Sequence, residues 1–262
     1  MYVRNLLSTL RWSAASSFKR QDFLLAEGDP VVSFTFDDFP RSALEAGGTI
    51  LRSYEAYGTY YAAMGLMGRS GKAGDLFCAE DLKQLLSDGH ELGSHTFSHL
   101  SCRNAPLDIF LADVKKGREA ILDFTGASAP QHFCYPYGHF KFPLISWVRR
   151  GMASCRCTVH GINFSPVSLS LLLANPLYSG EIDFARIEHM MQLNVVKRGW
   201  LIFYTHDVCE RPSPWGCTPK DFEKVVRLAA RTRVRILSIN RAVAALGLTT
   251  GAKTPWSIGY RA

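Results

Sequence analysis

Three short segments far apart in the sequence carry the residues that could do chemistry. They are residues 34–38 (FTFDD), 95–99 (HTFSH) and 203–207 (FYTHD). Each lies at or just after the end of an apolar, strand-like run. Together they offer two carboxylates, two histidines four residues apart and a further histidine. This set can hold a divalent metal and still leave an acid and a base, which indicates metal-assisted hydrolysis.

The candidate metal ligands are Asp38, His95 and His99. Two imidazoles and a carboxylate are a common ligand set for catalytic zinc and leave a coordination position for water. The spacing of the histidines lets one helical turn or tight loop present both rings on the same side. Cobalt, nickel and iron(II) also suit these ligands. The sequence therefore predicts a divalent metal, and zinc is the expected one.

The remaining groups of the three segments suit proton transfer. Asp37 precedes Asp38, and because adjacent side chains diverge, it is a candidate general base beside the metal. His206 ends its strand and could protonate a leaving nitrogen. It could also be a metal ligand or a hydrogen-bonded histidine at the rim. Asp207 could orient His206 or form an Asx-type turn.

Alternating strand and helix patterns surround these segments. Strands are predicted at residues 31–36, 59–64, 91–94, 132–135, 153–159, 200–205 and 234–239, and helices at residues 41–57, 78–88, 106–124, 142–150, 181–197 and 221–231. This alternation predicts βαβ units and a mainly parallel sheet. Seven or eight units suit a closed or nearly closed α/β barrel, in which chemistry gathers at the C-terminal ends of the strands. We expect one domain over residues 1–262, with its core at about residues 30–245.

Composition limits the classes of function. The net charge is +7, but the basic clusters are better explained as solvated helix faces than as a nucleic-acid surface. The sequence has no apolar run long enough to span a membrane. Arg11 interrupts the N-terminal apolar run before it reaches the length of a secretory core. The seven cysteines form no disulfide framework, so we expect reduced thiols and a cytoplasmic location. The oligomeric state stays open.

These segments, in this order, resemble the motifs of the polysaccharide deacetylases, also called carbohydrate esterase family four or the NodB-homology domain. The matching pieces are residues 35–38 (TFDD), 95–99 (HTFSH), 134–138 (CYPYG) and 203–206 (FYTH). The resemblance implies a distorted (β/α) barrel and a divalent-metal amidase that acts on N-acetylated sugars.

The resemblance also implies roles for single residues. Asp37 matches the catalytic base, and Asp38, His95 and His99 match the metal triad. His206 matches the general acid. Tyr137 matches the residue whose backbone N–H faces the oxyanion, and Thr96 matches a hydroxyl that braces the histidine loop.

Two departures from the family pattern affect the groups around the base and the acid. Cys134 stands where the family has a loop arginine, and the sequence has no Asp-Trp segment. Arg156, on the next predicted strand, is either a substitute positive charge near Asp37 or an ordinary structural arginine. We expect Cys134 to be a packed thiol, because no histidine is evidently paired with it.

Three functions are consistent with the sequence. The first is a metal-dependent hydrolase that removes N-acetyl groups from N-acetylhexosamine units of a glycan or glycan precursor. The second is a hydrolase of another linear or cyclic amide on the same fold, which the missing loop arginine favours. The third is a glycan-binding homologue without catalysis.

Overall fold

The structure, a computed structural model, describes residues 22–25, 28–126 and 132–248. The first twenty-one residues, on which the expected absence of a secretory signal rests, lie outside these ranges, and the cytoplasmic location stays a prediction. Across the described ranges, no helix combines the length and the apolar character needed to cross a membrane.

Short strands alternate with helices along the chain. The strands are β1 (Asp22–Phe23), β2 (Val31–Asp37), β3 (Thr59–Ala62), β4 (Ser70–Gly71), β5 (Gly74–Asp75), β6 (Glu91–Ser94), β7 (His132–Cys134), β8 (Ser154–Arg156), β9 (Val167–Ser168), β10 (Asn175–Pro176), β11 (Trp200–Thr205) and β12 (Arg235–Ile236). The α-helices are Thr49–Ser53, Ala79–Ser87, Leu107–Thr125, Phe142–Gly151, Phe184–Lys197, Pro219–Arg231 and Ile239–Ala245. A π-helical turn at Ala43–Gly48 leads into the first of them.

The main sheet is parallel and curls into a distorted (β/α) barrel, which confirms the predicted fold class. Its strands follow the order β10-β11-β2-β3-β6-β7-β8, and β12 adds to β2. A parallel bridge between Arg156 and Leu172 joins β8 to the segment that leads into β10. The Cys157 N–H also donates to the Leu172 carbonyl at 3.0 Å. The two ends of the sheet therefore meet.

The sequence of β2 explains how the barrel holds polar groups at its centre. Successive side chains of a strand face opposite sides. Phe34 and Phe36 pack in the apolar core with the ring of Phe222 from the helix Pro219–Arg231. The alternate residues Thr35 and Asp37 are also buried, and Thr35 donates a hydrogen bond to the Phe203 carbonyl at 2.8 Å. The alternation therefore buries Asp37, the first Asp of the segment, at the end of the strand.

The structure departs most from the predicted elements in four places. The helix predicted at 41–57 ends at Ser53, and the strand predicted at 153–159 spans only Ser154–Arg156. Residues 160–180, for which the sequence predicts mostly loop, contain β9 and β10, and the two residues of β10 take their conformation from pairing with β11. The strand predicted at 234–239 shortens to β12, and the helix Ile239–Ala245 that follows it was missed. Short segments have weak local patterns, so long-range pairing decides their structure.

Candidate active site

The three segments predicted to do chemistry meet at the C-terminal rim of the barrel. Asp37 is the last residue of β2, His95 follows β6 and His206 follows β11. In barrels of parallel strands, this rim is where loops from different strands converge. Asp38, which follows Asp37, lies within ion-pair range of His95, His99 and His206. The structure therefore brings together the residues that the sequence separates.

Residues in the left-handed backbone conformation, with a positive φ, orient these side chains. Seven residues other than glycine have a positive φ in the described chain, and five of them lie in the site: Asp38, Phe39, Thr96, His99 and Tyr137. This conformation is disfavoured for residues with a side chain, and such residues cluster at functional sites. Contacts with the surrounding structure must therefore stabilise these backbone conformations.

The histidine loop, residues 95–99, has such a support in Asp113. One carboxylate oxygen of Asp113 accepts hydrogen bonds from the Phe97 and Ser98 N–H groups at 3.2 and 3.1 Å. The other accepts from the Ser98 hydroxyl at 2.8 Å. Thr96 accepts from the Leu100 N–H at 3.1 Å, as its match to the family motif implied. Sequence reasoning missed Asp113, because it lies fifteen residues away within a long helix and no local signal marks it.

Asp38, His95 and His99 form a group that could hold a metal ion. Their ligand atoms lie within 4.8 Å of one another. Oδ1 of Asp38 is 3.1 Å from Nε2 of His99 and 3.6 Å from Nε2 of His95. Yet this oxygen is buried and finds no hydrogen-bond donor in the described part of the chain. A buried carboxylate oxygen without a hydrogen-bond donor is unfavourable unless a positive charge lies beside it.

The second nitrogen of His95 shows why a cation fits here. Nδ1 lies 2.8 Å from the Cys134 carbonyl, which can only accept, so Nδ1 carries the proton. Burial lowers the pKa of His95 to about 4, and the ring is neutral near pH 7. Nε2 then turns a lone pair toward the Asp38 carboxylate. A metal ion between Nε2 of His95 and the Asp38 oxygen would attract both of these electron-rich atoms. A backbone carbonyl that accepts from the other ring nitrogen, as that of Cys134 does here, is common for metal-binding histidines.

A second donor group, Asp37, His95 and Cys134, does not fit a metal. The Arg156 guanidinium already lies there, with Nη2 bonded to Asp37 and 2.8 Å from Sγ of Cys134. Burial raises the pKa of Cys134 well above its usual range, so the sulfur is a neutral thiol. A thiol beside a fixed cation is a poor metal ligand, because the ligand form is the thiolate.

Asp37 and Arg156 make a buried ion pair. Burial by itself would raise the pKa of Asp37, but the Arg156 guanidinium, together with His95 and His206, holds it below its ordinary value. Asp37 is therefore ionised and can accept a proton. Of the two interpretations of Arg156 from the sequence, its position agrees with the substitute charge. Cys134 is packed beside it, as expected.

His206 is oriented by a backbone carbonyl. Its Nδ1 lies 3.2 Å from the Trp215 oxygen, so Nδ1 is a donor and Nε2 faces the site, 4.0 Å from Oδ2 of Asp38. Asp207 does not contribute to this orientation. It accepts hydrogen bonds from the N–H and hydroxyl of Ser213, at 2.7 and 2.5 Å, which fits the turn role considered for it. The Trp215 carbonyl was not foreseen, because it comes from a loop nine residues away.

Tyr137 lies in the tight turn after β7 and opens toward the same rim. Its φ is 59°, its side chain is 61% exposed, and its ring centroid is 4.6 Å from that of His99. Among the hydrogen bonds of the described residues, none uses the Tyr137 N–H. This N–H is therefore free to bind an oxygen atom beside the histidines, which is the role implied by the motif match.

The sequence is similar to one protein family and to a curated protein. The family model described as polysaccharide deacetylase matches residues 25–149. The chitooligosaccharide deacetylase of Azorhizobium caulinodans is 24% identical over 127 residues, which are 48% of this chain and 57% of that protein. The match thus spans little more than half the length of this curated relative.

Solved structures share the fold at low identity. An acetyl xylan esterase of family 4 from Clostridium thermocellum, in complex with a cobalt ion, has a TM-score of 0.55 at 18% identity, over 82% of this chain and 90% of that one. PdaA of Bacillus subtilis, a family 4 carbohydrate esterase, has a TM-score of 0.56 at 11% identity, over 89% of each chain. At such identities the likeness establishes the fold alone.

Proposed function

The chain belongs to the polysaccharide deacetylase family through residues 25–149, and on this premise we propose that it is a metal-dependent deacetylase. Its substrate would be an N-acetylhexosamine unit of a glycan or glycan precursor. One observation carries the proposal. The Nε2 atoms of His95 and His99 converge on a buried Asp38 oxygen that has no donor in the described chain, beside an ionised Asp37.

Asp38, His95 and His99 would hold the metal, and zinc is the ion we propose. When bound, such an ion polarises a carbonyl and lowers the pKa of water. His95 is suited to this task, because its Nδ1–H bond to the Cys134 carbonyl fixes the tautomer that presents Nε2.

Asp37 would take a proton from the attacking water. Oδ1 of Asp37 is bonded to Arg156, so the proton would go to Oδ2. Arg156 keeps the carboxylate ionised before the reaction, and it stays in place as the carboxylate is neutralised. Oδ1 of Asp37 is thus fixed by Arg156, and Oδ2 is the oxygen that would accept the proton.

Tyr137 and His206 would complete the hydrolysis. The Tyr137 N–H would donate to the oxyanion that forms when water adds to the acetamide carbon. His206 would give a proton from Nε2 to the sugar nitrogen as the C–N bond breaks. The products are acetate and a free amine. The Trp215 carbonyl, which accepts from Nδ1, keeps Nε2 directed at the site.

We do not favour the alternative function, hydrolysis of another linear or cyclic amide. It rested on the missing loop arginine, and Arg156 supplies a guanidinium at Asp37 from the neighbouring strand. Acetate release and ring opening, measured on one panel of N-acetylated sugars and cyclic amides, separate the two activities.

The test is Asp37→Asn. We expect the variant to keep its metal but to lose turnover of N-acetylated chitooligosaccharides by roughly 100-fold or more, the range for loss of a general base. Acetate release and metal content per chain are the measurements. Asp123→Asn, the same change on an exposed helix position, should behave as wild type. Near-normal acetate release by Asp37→Asn would overturn the assignment.

A further inference from the structure

Tyr137 belongs to a tight turn whose backbone needs support. Tyr137 has a φ of 59° and Gly138 has a φ of 63°, so two successive residues adopt the left-handed conformation. The His139 N–H closes the turn by donating to the Pro136 carbonyl at 3.1 Å. The left-handed conformation is unfavourable for tyrosine and persists only where neighbouring contacts fix it. The contacts of this turn therefore determine where the Tyr137 N–H points.

His139, the last residue of the turn, is held through both its side chain and its main chain. Nδ1 of His139 is hydrogen-bonded to Oγ of Ser101 at 2.9 Å, and the Cys102 thiol donates to the His139 carbonyl at 3.2 Å. Oγ of Ser101 also accepts from the Arg103 N–H at 3.2 Å, which fixes the position of the hydroxyl. Ser101 and Cys102 are buried, so water competes little for these hydrogen bonds.

Ser101 connects this turn to the histidine loop, because it lies two residues after His99. The strands that lead into the turn and the loop are β7 and β6, and their register contains one pair, Ser94 with Phe133. Backbone pairing between these strands therefore ends before the loops begin. Beyond it, the relative position of the two loops depends on side-chain contacts such as the hydrogen bond between Ser101 and His139.

We propose that Ser101 and His139 are positioning residues that fix the Tyr137 N–H relative to the metal ligand His99. The rings of Tyr137 and His99 are in contact, with centroids 4.6 Å apart, so a shift of the turn moves the N–H against the histidines. The inference rests on the proposed function, because its consequence is the stabilisation of an oxyanion during hydrolysis. Ser101 and His139 act through the backbone of the turn and take no part in the proton transfers.

The first test is Ser101→Ala, which removes the hydroxyl. We expect kcat on N-acetylated chitooligosaccharides to fall roughly 10- to 100-fold, the range for displacement of a reacting group by up to about 1 Å. KM and metal content per chain should stay at the wild-type level, because the oxyanion exists only after water has added. Ser87→Ala, at an exposed helix position, is the matched control and should keep wild-type kinetics.

The second test approaches the same hydrogen bond from His139. His139→Leu should lower kcat as Ser101→Ala does. His139→Asn should recover at least roughly fivefold over His139→Leu, because an amide can donate or accept near the position of Nδ1. The double variant Ser101→Ala/His139→Leu should be within about twofold of the slower single variant, because the same hydrogen bond is lost in each. If Ser101→Ala does not fold, the two His139 variants decide the question.

A tetrahedral analogue of the reaction separates positioning from a general loss of packing. The probe is a chitooligosaccharide whose acetamide is replaced by a methylphosphonamidate, which carries an oxygen where the oxyanion forms. In Ser101→Ala its inhibition constant should rise by about the same factor as kcat falls, while KM does not change. A merely structural role would lower the free energy of unfolding without this selective loss of affinity.

The outcomes are distinct. An active wild type with unchanged kcat in folded Ser101→Ala would overturn the inference alone. So would a loss of metal in Ser101→Ala that accounts for its lost activity, or His139→Asn no faster than His139→Leu. A metal-loaded wild type that releases no acetate from N-acetylated sugars would overturn the proposed function, and the inference with it.

Discussion

At the scale of single residues, His95 shows how its surroundings prepare a neutral ring for the metal-ligand role proposed for it. Its environment selects one tautomer, because a carbonyl accepts from Nδ1. Burial disfavours the charged ring and lowers its pKa to about 4. Both effects leave Nε2 as a lone pair directed at Asp38, 3.6 Å away. The residue type was evident from the sequence, but the tautomer depends on a carbonyl 39 positions away.

The first prediction concerns this residue. Wild-type protein should contain about one divalent ion per chain, the content of a mononuclear site, and His95→Ala should lose it because one of three ligands is gone. Elemental mass spectrometry on proteins purified side by side is the measurement. His189→Ala, at an exposed helix position, should keep the metal. A wild type that takes up neither zinc nor cobalt on reconstitution would contradict the prediction.

At the scale of elements, the helix Leu107–Thr125 supports the histidine loop. Asp113 binds the loop's backbone, and four residues later Gly117 lets the helix approach it closely. A Cβ added at Gly117 would lie 2.5 Å from the backbone carbon and oxygen of Thr96. Backbone atoms cannot turn aside as a flexible side chain can, so the helix or the loop would have to move.

The second prediction is that Gly117→Ala impairs both stability and metal binding. Overpacking at a rigid contact costs about 1–3 kcal/mol, and the displaced loop carries His95 and His99. Urea unfolding and a metal titration measure the two effects. Gly180→Ala is the matched control, because an added Cβ there meets no atom within 4 Å. Equal metal affinity in Gly117→Ala and wild type would show that the helix does not position the loop.

At the scale of the whole molecule, buried polar groups tie stability to pH. His90 is 5% exposed and lies between the rings of Tyr57 and Tyr60, and its Nδ1 accepts from the Gly58 N–H at 3.0 Å. Burial lowers the pKa of His90 to about 4. Charged groups nearby, Asp88 and Arg52, form an ion pair with each other at 2.9 Å. The fold therefore keeps His90 neutral where the unfolded chain would protonate it.

The third prediction follows from the sign of this shift. The unfolded chain binds a proton near pH 6.5 and the folded protein only near pH 4, so unfolding takes up a proton between these values. The stability from neutral His90 is complete above pH 6.5 and is lost as pH falls toward 4, by at most about 3 kcal/mol. Urea unfolding at pH 7 and pH 5 measures it.

His90→Asn is the comparison variant for this measurement, because it keeps an acceptor for the Gly58 N–H without titrating. Acidification should lower the free energy of unfolding of the wild type more than that of the variant. The other titrating groups contribute equally in both proteins, so their effects cancel in the comparison. Equal losses in both proteins would contradict the assigned role of His90.

Local patterns were sufficient to predict much of the fold. β6 and β11 have the bounds expected for them, and the helix predicted at 106–124 is found at Leu107–Thr125 and is followed by Gly126 in the left-handed conformation. The strand-end positions of Asp37, His95 and His206 also follow from adjacent apolar runs. β10 could not be predicted from the local pattern, because two residues have no periodicity of their own. They acquire a strand conformation only by pairing with β11.

The sequence by itself determined which residues could do the chemistry and that they stand at strand ends, because both facts lie in short contiguous segments. Only the tertiary structure decided what surrounds them. It placed Arg156 on Asp37, the Trp215 carbonyl on His206 and Asp113 under the histidine loop. The physical reason is that these contacts depend on strand register and barrel closure. Both arise from pairing between distant segments, and no local propensity encodes which side chains they bring together.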